Sequence, residues 1–155
     1  MNNVLHSEKI IINAPVEKVY AILSNITSWP EWRSDVKEVK LKGPVKKETS
    51  FDWKAKGFTI RSKLHTVKPN HSFAWTGRIL WIRAVHKWEL TPHTTNTNNK
   101  NEDKKNEVDN NDIDNKTKVI VKESLNGIGA GLLKTTLTMT MKKDLEELRI
   151  KAEKE

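Results

Sequence analysis

Near the end of the chain, apolar side chains recur at Leu133, Leu137, Met141, Leu145, Leu148 and Ala152, in steps of four, four, four, three and four. That spacing lays them on one stripe of an α-helix and predicts a helix over 131–153. From residue 132 to 152 it would run about 31 Å, close to the reach of a strand of about nine residues. One helix is therefore long enough to lie across a whole sheet. Its second half mixes Lys142, Lys143, Arg149, Lys151 and Lys154 with Asp144, Glu146, Glu147, Glu153 and Glu155, the pattern of a solvated face. The first half is different. Thr135, Thr136, Thr138 and Thr140 lower helix propensity, and Met139 and Met141 are flexible gap-fillers. Either the threonine hydroxyls bond back to the preceding turn, or this half of the helix lines an adaptable cavity.

Elsewhere the period is mostly two. Residues 4–12 read as a strand ending in a continuous apolar run and stopped by Asn13-Ala14-Pro15. Val16, Val19, Tyr20 and Leu23 then form the i, i+3, i+4, i+7 face of a short helix, with Pro15 tolerated in its first turn. A second short helix follows, capped at Thr27 or Ser28, with Trp29 and Trp32 on one side. Alternation resumes at 36–41, 51–56 and 58–65, then around Phe73, Trp75 and Gly77, and around Ala84, His86, Trp88 and Leu90, with Trp81 at the intervening turn. The last strand is 119–125.

Two segments break the pattern. Residues 94–117 are mostly Asn, Lys, Asp, Glu and Thr without hydrophobic period, so they are read as a low-complexity, disordered loop inserted between strands. Asn126 to Gly131 is glycine-rich, but no Walker or dinucleotide pattern accompanies it, and a flexible corner before the last helix is the expectation. The order strand, two short helices, six strands, long helix predicts a single α+β domain over 1–155: a seven-stranded curved antiparallel sheet wrapped around the C-terminal helix.

Composition narrows the function. The 155 residues are 35% apolar, enough for one core, and contain no cysteine, which excludes disulfides and thiolate chemistry. No stretch approaches the ~20 apolar residues of a membrane span, and the N-terminus lacks a secretory pattern; a soluble, cytoplasmic protein is expected. The net charge is +8, and residues 31–87 hold fourteen Lys or Arg against five Asp or Glu. Such a face suits water, and it also suits transient contact with an anionic membrane or an acidic partner. Nucleic acid is not favoured, because no recognition motif accompanies the charge. His6, His65, His71, His86 and His93 lack ligand spacing, so no metal is expected, and no cofactor motif is present.

The order of elements, with Ile12-Asn13-Ala14-Pro15-Val16-Glu17-Lys18-Val19-Tyr20, Trp29-Pro30-Glu31-Trp32, Phe73-Ala74-Trp75-Thr76-Gly77, His86-Lys87-Trp88-Glu89-Leu90 and residues 123–127, resembles the START-like (SRPBCC) superfamily. These are the helix-grip proteins that include the polyketide cyclase/dehydrase and lipid-transport family and the pollen-allergen fold. The likeness covers nearly the whole chain outside 94–117. It implies a deep hydrophobic cavity between sheet and long helix, used by different members to carry lipids, sterols or polyketides, for ring-closing chemistry, or to dock proteins.

Strand alternation puts Trp75, His86, Trp88 and Glu123 toward the helix, and one permitted register sets His86 opposite Glu123 and Trp88 opposite Val121. His86 and Glu123 would anchor a ligand's polar end, act as general base and acid, or simply satisfy each other, because a lone buried polar group is costly. Trp29, Trp32, Trp53, Trp75 and Trp88 offer broad apolar walls, and Leu133, Leu137 and Met141 face them from the helix. Two functions follow as expectations: binding of a hydrophobic or aromatic small molecule, or cyclase/dehydratase-like chemistry with His86 and Glu123 as its catalytic candidates. A weaker third uses the basic sheet face to bind RNA, membrane or protein.

Overall fold

The structure is a computed structural model describing residues 3–94 and 115–154. The chain runs β1 (Asn3–Ile12), α1 (Val16–Ser24), a 3-10 turn (Ile26–Ser28) continuing into α2 (Trp29–Trp32), then β2 (Val36–Leu41), β3 (Ser50–Ala55), β4 (Phe58–Lys68), β5 (Ser72–Ile79), β6 (Ile82–His93) and β7 (Lys116–Asn126). A second 3-10 turn, Ala130–Leu133, leads into α3 (Lys134–Glu153). Seven antiparallel strands form one sheet in the order β1-β7-β6-β5-β4-β3-β2. The ladder is thus a meander from β2 to β7, closed by the first strand pairing with the last. Register shifts between Val36 and Glu38 and between Leu64 and Thr66 mark irregularities in β2 and β4, the kind of feature that bends a strand. No described helix is long and apolar enough to cross a membrane.

The expected loop at 94–117 lies almost wholly outside the described residues. At its far border, Lys116 and Thr117 belong to β7, and the buried Thr117 hydroxyl donates to the Ala14 carbonyl at 2.7 Å. The helical stripe also starts later than its periodicity suggests. Residues 131–133 belong to the 3-10 turn, which Gly129 opens at φ +83°. Leu137, Met141, Leu145, Leu148 and Ala152 are buried, whereas Leu133 is exposed. Met139 points to solvent, so only Met141 fills a gap in the core.

α3 crosses the sheet with its C-terminal end fastened to the β1–α1 corner. The Glu153 carboxylate accepts the Asn13 N–H at 2.9 Å, and the Lys18 ammonium donates to the Lys154 carbonyl at 2.8 Å. The apolar face of α1, Val16, Val19, Tyr20 and Leu23, is buried beside it. At the other side of the core, Trp29 is fully buried and packs against Phe51, Trp53 and Trp75, with ring centroids 5.7, 5.8 and 4.8 Å away. Its indole N–H donates to the Leu23 carbonyl at 2.9 Å, so the polar atom of this side chain is satisfied. Trp29→Ala should therefore destabilise the protein by about 3–5 kcal/mol, read as a lowered urea midpoint; a loss under about 1 kcal/mol would mean the indole stands free of the core.

Candidate functional site

The N-terminal half of α3 stands off from the sheet and leaves a cavity of ≈ 390 Å³. Trp53, Ile60, Trp75 and Ile82 wall it from the sheet, and Leu133, Thr136, Leu137 and Thr140 from the helix. The threonine-rich helical turn has both properties expected of it: the Thr138 hydroxyl bonds back to the Lys134 carbonyl at 3.0 Å, and Thr136 and Thr140 face the cavity. Exposed Phe58, Leu80 and Leu133 mark the mouth. Lys56, in the β3–β4 turn, donates to the Thr140 hydroxyl at 2.6 Å and ties that turn to the helix.

Among the residues singled out from sequence, Trp53, Trp75, His86, Glu123, Leu133 and Leu137 line this cavity. Trp29, Trp32, Trp88 and Met141 are instead buried among core side chains and contribute no lining. Register explains the pairing at the polar end. β6 and β7 align so that His86 faces Glu123 and Trp88 faces Val121, and the His86 Nδ1 lies 2.8 Å from the Glu123 carboxylate. The imidazole stacks on Trp75 with centroids 4.7 Å apart and planes 14° from parallel. Its other nitrogen, Nε2, is buried and has no hydrogen-bond partner among the described residues.

A second polar group was not legible in the sequence. Arg33, just after α2, is 2% exposed and donates from Nη2 to Asp144 Oδ2 at 2.9 Å. Its guanidinium also lies 4.9 Å from the Trp29 ring centroid and 5.2 Å from that of Trp53, within reach of cation–π attraction. Asp35 comes within 3.8 Å of Arg33 Nε, too far for a hydrogen bond. Asp144, read from sequence as part of the solvated face of the last helix, is 1% exposed. Its signal is positional: it lies three residues after Met141 and seven after Leu137, on the edge of the buried stripe.

Arg33 Nε, Asp35 Oδ1, Asp144 Oδ1 and His86 Nε2 are all buried without a hydrogen-bond partner among the described residues, and all four residues line the cavity. Donors and acceptors stripped of water in this way favour a polar group that could satisfy them. Ligand atoms of Asp35, Asp144 and Glu147 gather within 4.8 Å of one another. The Arg33 guanidinium is the positive partner of Asp144 and Asp35, and Glu147 accepts the Ser34 N–H at 3.2 and 3.3 Å. Burial pushes the Asp144 carboxyl from the ordinary 3.8 up to about 6; Arg33 opposes this shift and Asp35 adds to it.

This arrangement, a long C-terminal helix held across a seven-stranded antiparallel sheet with two short helices after the first strand, is the helix-grip fold of the START-like superfamily. The chain belongs to the polyketide cyclase / dehydrase and lipid transport family, whose model matches residues 5–153. No curated protein matches it. Solved structures share the fold at low identity. A START superfamily protein from Mycobacterium smegmatis superposes with a TM-score of 0.74 at 10% identity, over 96% of this chain and 97% of that one. The Zhui aromatase/cyclase from Streptomyces sp. R1128 gives 0.73 at 12%, over 98% and 94%. The hypothetical protein jhp0584 from Helicobacter pylori gives 0.73 at 16%, over 96% and 88%.

The buried carboxyl sets a pH dependence. Asp144 holds its proton more tightly folded than unfolded, so it favours the folded state at low pH, and that contribution is lost as pH rises from about 4 through about 6. The difference in unfolding free energy between wild type and Asp144→Asn should change across this window by on the order of 2–3 kcal/mol. Parallel curves in urea titrations at pH 4, 5, 6 and 7 would contradict the assignment.

Proposed function

We propose that the cavity binds an apolar or aromatic small molecule of lipid, sterol or polyketide type. In this reading Trp53, Trp75 and Leu137 hold its body, and its polar end meets His86, Arg33 and Asp144. The observation that carries the proposal is the cluster of unpartnered buried atoms beside an otherwise apolar wall. Tyr20 Oη and the Trp32 and Trp88 indole nitrogens are also unpartnered in the core among the described residues. The four cavity groups, however, are ionisable, and a purely structural core would be expected to pair such groups fully or replace them with hydrocarbon. The volume, ≈ 390 Å³, suits a small ligand, since such pockets typically measure about 300–1,000 Å³. The mixture of donors and acceptors favours a ligand whose polar end is a hydroxyl or carbonyl, able to bond to both kinds of group.

One observation favours turnover as a second reading. Glu123 holds one ring nitrogen of His86 and leaves the other without a partner among the described residues, the arrangement by which a carboxylate orients a histidine for proton transfer. A cyclase- or dehydratase-like reaction would then use His86 as base and acid, with Glu123 positioning it.

The neutral dye N-phenyl-1-naphthylamine should bind and quench tryptophan emission, because Trp53 and Trp75 line the cavity. Trp75→Ala should weaken that binding about tenfold through lost apolar contact. His86→Ala and Glu123→Gln separate the two readings. A carrier loses affinity for hydroxylated ligands, whereas an enzyme keeps its affinity while turnover of a polyketide-like substrate falls about 100-fold or more. Absence of dye binding, or equal binding by wild type and Trp75→Ala, would remove the cavity from consideration.

A further inference from the structure

Charges on the outer sheet face are met unevenly, and the unmet ones include three arginines at the end of the sheet where the cavity opens. On the outer face Lys42, Lys54, Lys87 and Lys122 lie 2.6–2.8 Å from the carboxylates of Asp52, Glu38 and Glu89. On the same face toward the mouth, Arg61 stands opposite Arg78 across β4 and β5, and Arg78 opposite Arg83 across β5 and β6. Asp52 is opposite Arg61 across β3 and β4 but pairs with Lys42, and Arg78 Nε donates to the Leu80 carbonyl at 3.4 Å. Like charges placed directly opposite in a ladder repel one another. Among the described residues none of the three arginines has a carboxylate within ion-pair distance. Segments 56–61, 76–85 and 124–138, which build this end, contain Lys56, Arg61, Arg78, Arg83 and Lys134 and no Asp or Glu.

The same end exposes Leu80, Trp81, Ile128 and Leu132 at 65%, 63%, 85% and 88%. Leu80 and Trp81 are the two-residue turn between β5 and β6, and Leu80 has φ +51°. Glycine or asparagine adopts that conformation with least strain. A leucine there, with its side chain in water, helps neither the turn nor the core. Trp81 bridges the turn to the corner before α3: its indole N–H donates to the Ile128 carbonyl at 3.0 Å, so both groups are already satisfied if this surface leaves water. Leu80 itself lines the cavity, as do Phe58 and Leu133, so the exposed apolar rim is continuous with the interior wall.

We infer that this rim docks the protein on an anionic lipid bilayer, with Leu80, Trp81, Ile128 and Leu132 entering the interface and the arginines above it meeting the headgroups. Apolar side chains tipped by tryptophan and backed by unpaired cations are the combination that binds such surfaces. A second copy of the chain fits poorly, because a two-fold contact would press the same uncompensated cations together. Docking in this pose would let an apolar cavity ligand move between protein and bilayer without crossing water. The docking itself does not depend on the ligand reading.

The test uses ligand-free protein and vesicles of phosphatidylcholine with or without phosphatidylserine. Co-sedimentation is expected with the anionic vesicles and should weaken as salt rises. Trp81 is the exposed one of the six tryptophans, so binding should blue-shift an emission component that Trp81→Phe lacks. Arg78→Gln combined with Arg83→Gln should lower partitioning about 25-fold, at roughly fivefold per cation. Ile128→Ser combined with Leu132→Ser, both at exposed positions, should lower it at least about tenfold. Trp75→Ala, on the cavity wall, should leave it unchanged while it weakens dye binding, which separates this inference from the ligand proposal. The inference is overturned if anionic vesicles do not sediment the protein, or if both double variants bind as wild type does. It is overturned equally if polyglutamate competes as an equal partner without any shift in Trp81 emission, or if the rim variants instead dissolve a dimer seen by sedimentation velocity.

Discussion

The packing of one helix across one sheet is the interaction on which the rest depends. Leu137, Met141, Leu145, Leu148 and Ala152 bury a continuous stripe, and each large side chain among them contributes on the order of 1.5–3 kcal/mol when removed from water. The stripe alone does not fix where the helix sits. Its C-terminal end is held at the β1–α1 corner by Glu153 and Lys18, and its middle by the Arg33–Asp144 pair. N-terminal to that pair Leu137 and Met141 are still buried, while Thr136 and Thr140 of the threonine-rich turns line the cavity. The cavity occupies the space between these threonines and the sheet.

Arg33 and Asp144 therefore have two roles that pull against each other. As a structural pair they clamp α3 to the segment after α2, in a setting where two aromatic rings flank the guanidinium. As a buried pair they are costly, because desolvation offsets much of the attraction between them. The raised Asp144 carboxyl reflects that cost. A hydrocarbon pair would clamp the helix at least as well, which is the physical reason for assigning these groups to recognition as well as to stability. His86 and Glu123 follow the same logic on the opposite wall, where the carboxylate fixes the ring and leaves one nitrogen without a hydrogen-bond partner among the described residues.

Apolar wall, polar inner end and apolar rim form one path from the core to the surface. Family membership accounts for the general arrangement, while identities of 10–16% with the solved relatives limit what those relatives say to the fold. The chemistry must be read from this chain's own side chains. Here they combine aromatic walls, a mixed donor and acceptor set and, on the sheet beside the mouth, three arginines with no carboxylate in ion-pair distance among the described residues.

The sequence by itself determined the elements and their faces. Period-two alternation places Trp75, His86, Trp88 and Glu123 on the helix-facing side of the sheet, and the four-residue steps from Leu133 to Ala152 define the stripe of the long helix, because side-chain direction follows local backbone geometry. Register of β6 and β7 was narrowed by the same rule, since a one-residue slip would turn every apolar side chain outward. Only the tertiary structure decided which inward residues meet each other and which meet empty space. Alternation cannot tell Trp88, sealed in the core, from Trp75 on the cavity wall, because both lie on the same face and differ only in what the helix brings over them. Nor could it find Arg33 and Asp144, which are 111 residues apart. Their burial follows from a long-range contact; in the chain itself Arg33 looks like an ordinary surface charge, and Asp144 is marked only by its place at the edge of the helical stripe.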